Sequence, residues 1–403
     1  MDEAIHALSV VLTSRCGSNC RYCYRGRDDR RDARWQDLRP ALDWTLSRAG
    51  PELAVEFTGG EPMLVFPLLC RTLDDLERHA SPATRLRPAV LTAGRGLDDA
   101  RFAELTRRGV DVHLSCDGVA AAQDARAPGS FADVDRLLRG LASRHPEAFR
   151  ARVSVSMVVT PGTVAHLAAG VRYLLDLGVR RIRASPVLTP CPGWDDPRTE
   201  ALAVQFDRIV SICLEHRERT GEVPFELLRR YDLPVSPPPG PRPVCHAATT
   251  GAVTVDLDGR LVSCALFATG VTGPGDERWR AARRLMAWGR PGDPGLEARR
   301  ADHGRAVAGI PEFVPRAVDA GPRPDCRCCE VRNECVICPF ASLFLPGDEA
   351  ARRAPGFLCA FQRVAFAARQ RFAPIRPSPT VEAHPAVIAK RMRDWQRQHG
   401  SER

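Results

Sequence analysis

A single lysine, Lys390, occurs in the 403 residues, although basic side chains outnumber acidic ones by 58 to 49. The net charge of +9 is therefore carried by arginine. It reads as readily as a solvated surface with an arginine habit as it does as a face that attracts acidic partners. There is no zinc-finger spacing, no aromatic run of the kind that stacks RNA bases and no strongly basic stripe, so nucleic acid is not expected as a partner. Nor is there an apolar stretch of the roughly twenty residues that crosses a bilayer. The chain opens Met1-Asp2-Glu3, without the basic region and apolar stretch of a secretion signal. A cytoplasmic address and no membrane partner are expected.

Cysteine, by contrast, is plentiful. Fifteen of them in a chain expected in a reducing compartment read as metal ligands sooner than as disulfides. Eleven are grouped: Cys16, Cys20 and Cys23; Cys245 and Cys264; and Cys326, Cys328, Cys329, Cys335, Cys338 and Cys359. The scattered four, Cys70, Cys116, Cys191 and Cys213, read as structural, with Cys70 and Cys213 in apolar helical patterns as small core residues.

Strand-like segments at 6–13, 53–58, 86–92, 110–116, 152–159 and 180–184 alternate with helix-period segments at 35–48, 64–79, 98–108, 131–143 and 164–177. Six βα repeats with short connections predict an α/β fold with a parallel sheet and helices outside it, either open and doubly wound or a partial barrel. In both, function gathers at the carboxyl ends of the strands. Residues 199–230 read as helical. The run LPVSPPPGPRPV at 233–244 can be neither helix nor central strand and marks a boundary. Segment 252–264, AVTVDLDGRLVSC, alternates around Asp258-Gly259 as a β-hairpin does. The stretch 270–324 is rich in Gly, Pro and Arg and reads as loop and short helix; a helix near 362–372 and a polar tail end the chain. The expected division is 1–195, a helical connection and joint at 196–244, a cysteine-rich unit at 245–365, and a helix and tail at 366–403.

Residues 13–24 read TSRCGSNCRYCY, with C-x3-C-x2-C spacing directly after the first predicted strand. A cubane cluster takes one thiolate per iron, and a short loop can wrap three corners. Three ligands leave one iron open, and an unfilled position separates catalytic metal sites from structural ones. A three-legged zinc site with a distant fourth ligand is the alternative. The segment resembles the defining motif of the radical S-adenosylmethionine (SAM) superfamily, with Tyr22 at its aromatic position. The resemblance implies a partial (β/α)6 barrel and a 4Fe–4S cluster on Cys16, Cys20 and Cys23 whose open iron chelates SAM. It further implies reductive cleavage of SAM to a 5′-deoxyadenosyl radical, with Tyr22 against the adenine. Thr58-Gly59-Gly60-Glu61-Pro62 equals the family's GGEP motif; Gly59 and Gly60 would let the backbone approach the methionyl group, and Glu61 would accept from its ammonium. Ser115-Cys116-Asp117-Gly118 matches S-x-D-G, with Ser115 a partner for the SAM ribose or carboxylate and Asp117 beside it. Asp124-Ala125-Arg126 resembles the segment whose arginine pairs with the SAM carboxylate. Thr92-Ala93-Gly94 departs from the family's Thr-Asn-Gly.

The later cysteines resemble the SPASM extension, which holds two auxiliary 4Fe–4S clusters. By that resemblance Cys326, Cys329, Cys335 and Cys359 hold the outer cluster, and Cys245, Cys264 and Cys338 the inner one. Two residues precede Cys338 where the commonest version has three. The inner cluster's fourth ligand is open between Cys328 and an iron left for substrate. A pair of zinc ribbons is the alternative reading of the two C-x2-C pairs.

Enzymes of this two-part plan act mostly on peptides or protein side chains. The expectation is a maturase that abstracts hydrogen from a ribosomally made precursor peptide and leaves a thioether, C–C or C–O crosslink or another oxidative change. Either a separate leader-recognition protein binds the leader or the leader docks on the barrel directly, and a flavodoxin- or ferredoxin-type electron donor is the other implied partner. Maturation of a partner enzyme's side chain, a tetrapyrrole substrate, and a redox or scaffold protein that does not turn over SAM are the alternatives. Ala265 after Cys264 counts against sulfatase maturation, where an aspartate commonly follows that cysteine. No substrate-side catalytic residue stands out; His113 reads as an inward strand residue.

Overall fold

The computed structural model describes residues 3–24, 30–191, 193–229, 247, 249–268, 277–308, 329–331, 335, 338–345 and 356–372. The proline-rich joint, Cys245, Cys326, Cys328 and the tail beyond 372 lie outside them.

Six parallel strands follow one another in space as in sequence: β1 (Ile5–Thr13), β2 (Ala49–Gly59), β3 (Arg85–Thr92), β4 (Asp111–Ser115), β5 (Val153–Val159) and β6 (Ile182–Pro186). The helices between them are α1 (Trp35–Leu46), α2 (Phe66–His79), α3 (Asp99–Arg107), α4 (Ala120–Arg126), α5 (Phe131–Arg144), α6 (Pro146–Arg152) and α7 (Leu167–Asp176). A doubly wound sheet must reverse its strand order. Here the order never reverses, and right-handed crossovers stepping one way put every helix on the same face. The fold is therefore a partial barrel.

Strand register shows the two faces. One row runs Val255, Val10, Phe57, Val90, Val112 and Val153 across six strands, each at most 1% exposed. It packs with Leu38, Leu69, Phe102 and Leu138 of the helices in one core. The neighbouring row, Thr254, Ser9, Glu56, Ala89 and Asp111, is largely polar. Glu56 on β2 and His113 on β4 both feel the charge of Arg183 on β6, which is ion-paired with Glu226. Strands four places apart can share a charge only when the sheet curls and both side chains enter the hollow. Burial there pushes the Glu56 carboxyl up, and burial together with Arg183 pushes the His113 imidazole down.

The barrel does not close. The outer edge of β1 is taken by β7 (Ala252–Val255), which runs parallel to it and turns back through β8 (Leu261–Val262) to β9 (Ala287–Gly289). The expected hairpin is thus present, and it continues the barrel sheet. Within the stretch 270–324, expected as loop and short helix, the described residues 277–308 hold two helices: α10 (Glu277–Met286), after α8 (Asp196–Thr220) and α9 (Glu226–Arg229), and the longer α11 (Leu296–Ala308). The buried stripe of α11 is Leu296, Arg300, His303 and Val307; two of these four are polar, so apolar periodicity does not reveal the helix. The final helix, Gly356–Phe372, begins six residues before the expected start and packs on α8, with Phe361 and Phe206 ring centroids 5.6 Å apart.

Gly259 seats the hairpin on the barrel. Its φ is +75°, and a Cβ there would lie 2.1 Å from the carbonyl oxygen of Asp37 in α1. Gly259→Ala is expected to cost more than about 1 kcal/mol, read as a lower urea midpoint at unchanged slope. An unchanged midpoint would show that the turn is not seated on α1.

Candidate functional site

The chain leaves β1 at Thr13 and crosses the carboxyl ends of the strands as the cysteine loop. Two backbone bonds tie it to the end of β2: Gly60 N to Thr13 O, 2.7 Å, and Glu61 N to Arg15 O, 2.8 Å. A Cβ on Gly60 would lie 2.1 Å from the Arg15 carbonyl oxygen, and one on Gly59 2.4 Å from that of Thr13. Only glycine permits this approach. From the other side, Asp32 Oδ1 accepts from Thr13 Oγ1 at 2.6 Å and from Arg15 Nε at 2.9 Å. Arg21 N donates to the Arg126 carbonyl at 2.9 Å, and Thr189 Oγ1, beyond β6, donates to the Tyr22 carbonyl at 3.2 Å. The loop is thus braced from β2, α4 and the segments before α1 and after β6.

Glu61 is fully buried. It accepts from Thr92 Oγ1 at 2.7 Å, Ala93 N at 2.8 Å and Met63 N at 3.1 Å. Burial pushes its carboxyl up, and these bonds oppose the shift. The side chain thus joins the ends of β2 and β3 beneath the loop.

A second buried web lies beside Cys20. Arg126 Nε donates to Cys20 Sγ at 3.3 Å, and Arg126 Nη1 donates to Asp117 Oδ1 at 3.3 Å. Asp117 also accepts from the Tyr22 hydroxyl and, at 2.8 Å, from Val158 N. Gln123 Oε1 fixes the Asp117 amide at 2.8 Å. Burial raises the Asp117 carboxyl and Arg126 opposes it; the Tyr22 phenol is pushed up by burial. A cavity of about 730 Å³ opens here, lined by Gly17, Cys20, Arg95, Gln123, Arg126 and Asp133 among others. Ser115 ends β4, half-buried. Cys16 and Cys23 are exposed and Cys20 is buried.

Among the described residues no three His, Cys, Asp or Glu side chains are grouped for a single metal ion. Three thiols on one braced loop suit an iron–sulfur cluster, whose ligands stand apart at the corners of a cube.

Of the later cysteines, Cys264, Cys335, Cys338 and Cys359 pack into two neighbouring clusters. Cys264 and Cys338 pack against an apolar cluster containing Trp279 and Phe340, and Cys335, Cys338 and Cys359 pack against Ala341 and Leu358. Leu188, after β6, packs against both clusters. The Tyr24 ring, one residue past Cys23, meets Phe340 edge-on with centroids 5.9 Å apart. Cys329 is half-buried. Asp32, Gln123 and Thr189 brace the site without belonging to a motif read from sequence, whereas Thr92 opens the Thr92-Ala93-Gly94 segment. Cys116 and Cys213 are buried, their thiols pushed up to about 11 and about 12 by burial, as packing residues are.

No family model matches the chain. The GTP 3′,8-cyclase of Mycobacterium marinum is 31% identical over 326 residues, covering 72% of this chain and 84% of the relative. The chain belongs to the radical SAM family. The PqqA peptide cyclase of Streptomyces rochei is 28% identical to this radical SAM enzyme over 334 residues, 75% of this chain and 85% of the relative. An uncharacterized protein of Methanocaldococcus jannaschii matches at 25% over 185 residues, and the chain spans only 63% of its length. Two solved structures share the fold. One is anSMEcpe with bound AdoMet, at a TM-score of 0.70 and 16% identity over 92% of this chain and 98% of that one. The other is Streptococcus suis SuiB bound to S-adenosylmethionine, at 0.53 and 14% over 88% and 77%.

Glu61→Gln would set an amide nitrogen against one of three donors. The expected cost is about 1–3 kcal/mol, seen as a lower urea midpoint. No change would mean that the carboxylate does not brace the strand ends.

Proposed function

We propose that this radical SAM enzyme modifies a ribosomally made precursor peptide, abstracting hydrogen and leaving a crosslink or another oxidative change. In this reading Cys16, Cys20 and Cys23 hold the SAM-binding cluster. Tyr22, Gly59, Gly60, Glu61, Ser115, Asp117 and Arg126 form and brace the SAM site. Cys326, Cys329, Cys335 and Cys359 hold an outer auxiliary cluster, and Cys245, Cys264 and Cys338 an inner one. When bound, the clusters and SAM supply the one-electron chemistry that starts with hydrogen abstraction and ends with an electron taken up.

One observation carries the reading: the two cysteine systems meet at Tyr24, Leu188 and Phe340. A substrate at the mouth of the barrel would lie between the site that starts the reaction and the site that accepts its electron. The rings of Phe267, Trp279 and Phe340 pack on one another in the buried apolar cluster at that meeting point. The PqqA peptide cyclase relative supports a peptide as substrate. A separate leader-binding protein and a flavodoxin- or ferredoxin-type donor complete the reading as partners. A second reading, nucleotide cyclisation, is favoured by the Mycobacterium marinum GTP 3′,8-cyclase.

The test incubates the anaerobically reconstituted enzyme and SAM with short peptides encoded beside its gene and, separately, with GTP. A peptide lighter by two hydrogens is expected; a cyclised nucleotide and unchanged peptides would establish the second reading. Alanine at Cys16, Cys20 or Cys23 is expected to abolish deoxyadenosine formation, and retained formation would sink the ligand assignment. Cys359→Ala is expected to keep part of the SAM cleavage while product is lost; loss of both together would remove the electron-acceptor role.

A further inference from the structure

Cys20 is the buried member of the cysteine loop, and the Arg126 guanidinium donates to its sulfur. That guanidinium is committed on two further sides. It is paired with Asp117, their side chains 10% and 2% exposed, and it stands over the Tyr22 ring at 5.7 Å. Asp117 in turn is held by the Tyr22 hydroxyl and Val158 N. Swinging Arg126 away to reach a carboxylate at the mouth would leave Asp117 buried without its cation, and breaking a buried pair is strongly destabilising. A guanidinium held this way acts on what it already touches. An N–H donor and a positive charge on a cluster thiolate draw electron density from the sulfur and favour the reduced cluster, which carries one more negative charge.

We propose that Arg126 is a positioning residue that raises the reduction potential of the cluster held by Cys20, that Asp117 moderates this effect, and that Tyr22 orients Asp117. The proposal rests on the reading that Cys20 is a cluster ligand. It departs from the role of SAM-carboxylate partner that the resemblance implies for Arg126. Tyr22, Asp117 and Arg126 then act as one unit on the protein side of the cluster.

The experiment is an EPR-monitored redox titration of the reconstituted, SAM-free enzyme, with iron counted per chain for each variant. The loop cluster's signal is identified by its change when SAM is added. Arg126→Gln is expected to shift the reduction equilibrium at least tenfold toward the oxidised cluster, which is 59 mV for a one-electron couple. Asp117→Asn leaves the guanidinium uncompensated and is expected to shift it the opposite way. Opposite signs are the signature, since a web that merely holds the fold would move both variants alike or lose iron from both. Arg126→Lys keeps the charge without the planar fork and is expected to fall between wild type and Arg126→Gln, which keeps the test alive should the glutamine variant lose its iron. Unchanged potentials with weakened SAM binding in Arg126→Gln would overturn the proposal in favour of the carboxylate role. A wild-type signal that persists in Cys20→Ala would overturn the ligand reading itself.

Discussion

The amide of Gly60 donates to the carbonyl of Thr13, and the amide of Glu61 to that of Arg15; through those two bonds the end of β2 becomes the floor of the cysteine loop. The contact is available only where neither Gly59 nor Gly60 carries a side chain. Once it is made, the Glu61 carboxyl turns inward and draws in the ends of β3 and the following turn. Cys20 falls inside the wall, within reach of Arg126, while Cys16 and Cys23 remain outside it. The positions of the three thiols thus follow from backbone packing between two strand ends. The glycines of the sequence motif have a structural reason that precedes any ligand.

The hollow of the barrel follows from the same winding. Strands that step in one direction place all their helices outside and one face of the sheet inside. On that inner face Ser9, Glu56, His113 and Arg183 replace the valines and phenylalanine of the other. The polar rows lead to the carboxyl ends where the cysteine loop lies. The mouth is therefore lined by charge and hydroxyl groups on the barrel side. On the side of the later cysteines Tyr24 packs edge-on against Phe340, which is buried with Trp279.

Much of this was legible in the sequence because two simple periods carry it. Alternating β and α segments marked the six strands, and C-x3-C-x2-C, TGGEP and SCDG fell at the ends of the first, second and fourth. Other features leave no such trace. That β7 joins β1 in parallel is a choice of edge, which no local pattern encodes. Helix α11 hides because Arg300 and His303 fill core positions: Arg300 donates to the Glu3 carbonyl and His303 bonds the Ala247 carbonyl. Short helices such as α4 and α6 lack the length for a period to show, yet α4 is the element that carries Arg126 to Cys20. The braces Asp32, Gln123 and Thr189 are single polar residues whose partners are far away in the chain.

Mössbauer spectroscopy of the chain reconstituted with iron-57, recorded before and after adding SAM, tests the central claim most directly. The account predicts cubane clusters of which one, lost when Cys20 is replaced, has a single iron whose signal changes as SAM binds to its open position. Spectra that show no cubane cluster, or clusters that do not respond to SAM, would contradict it.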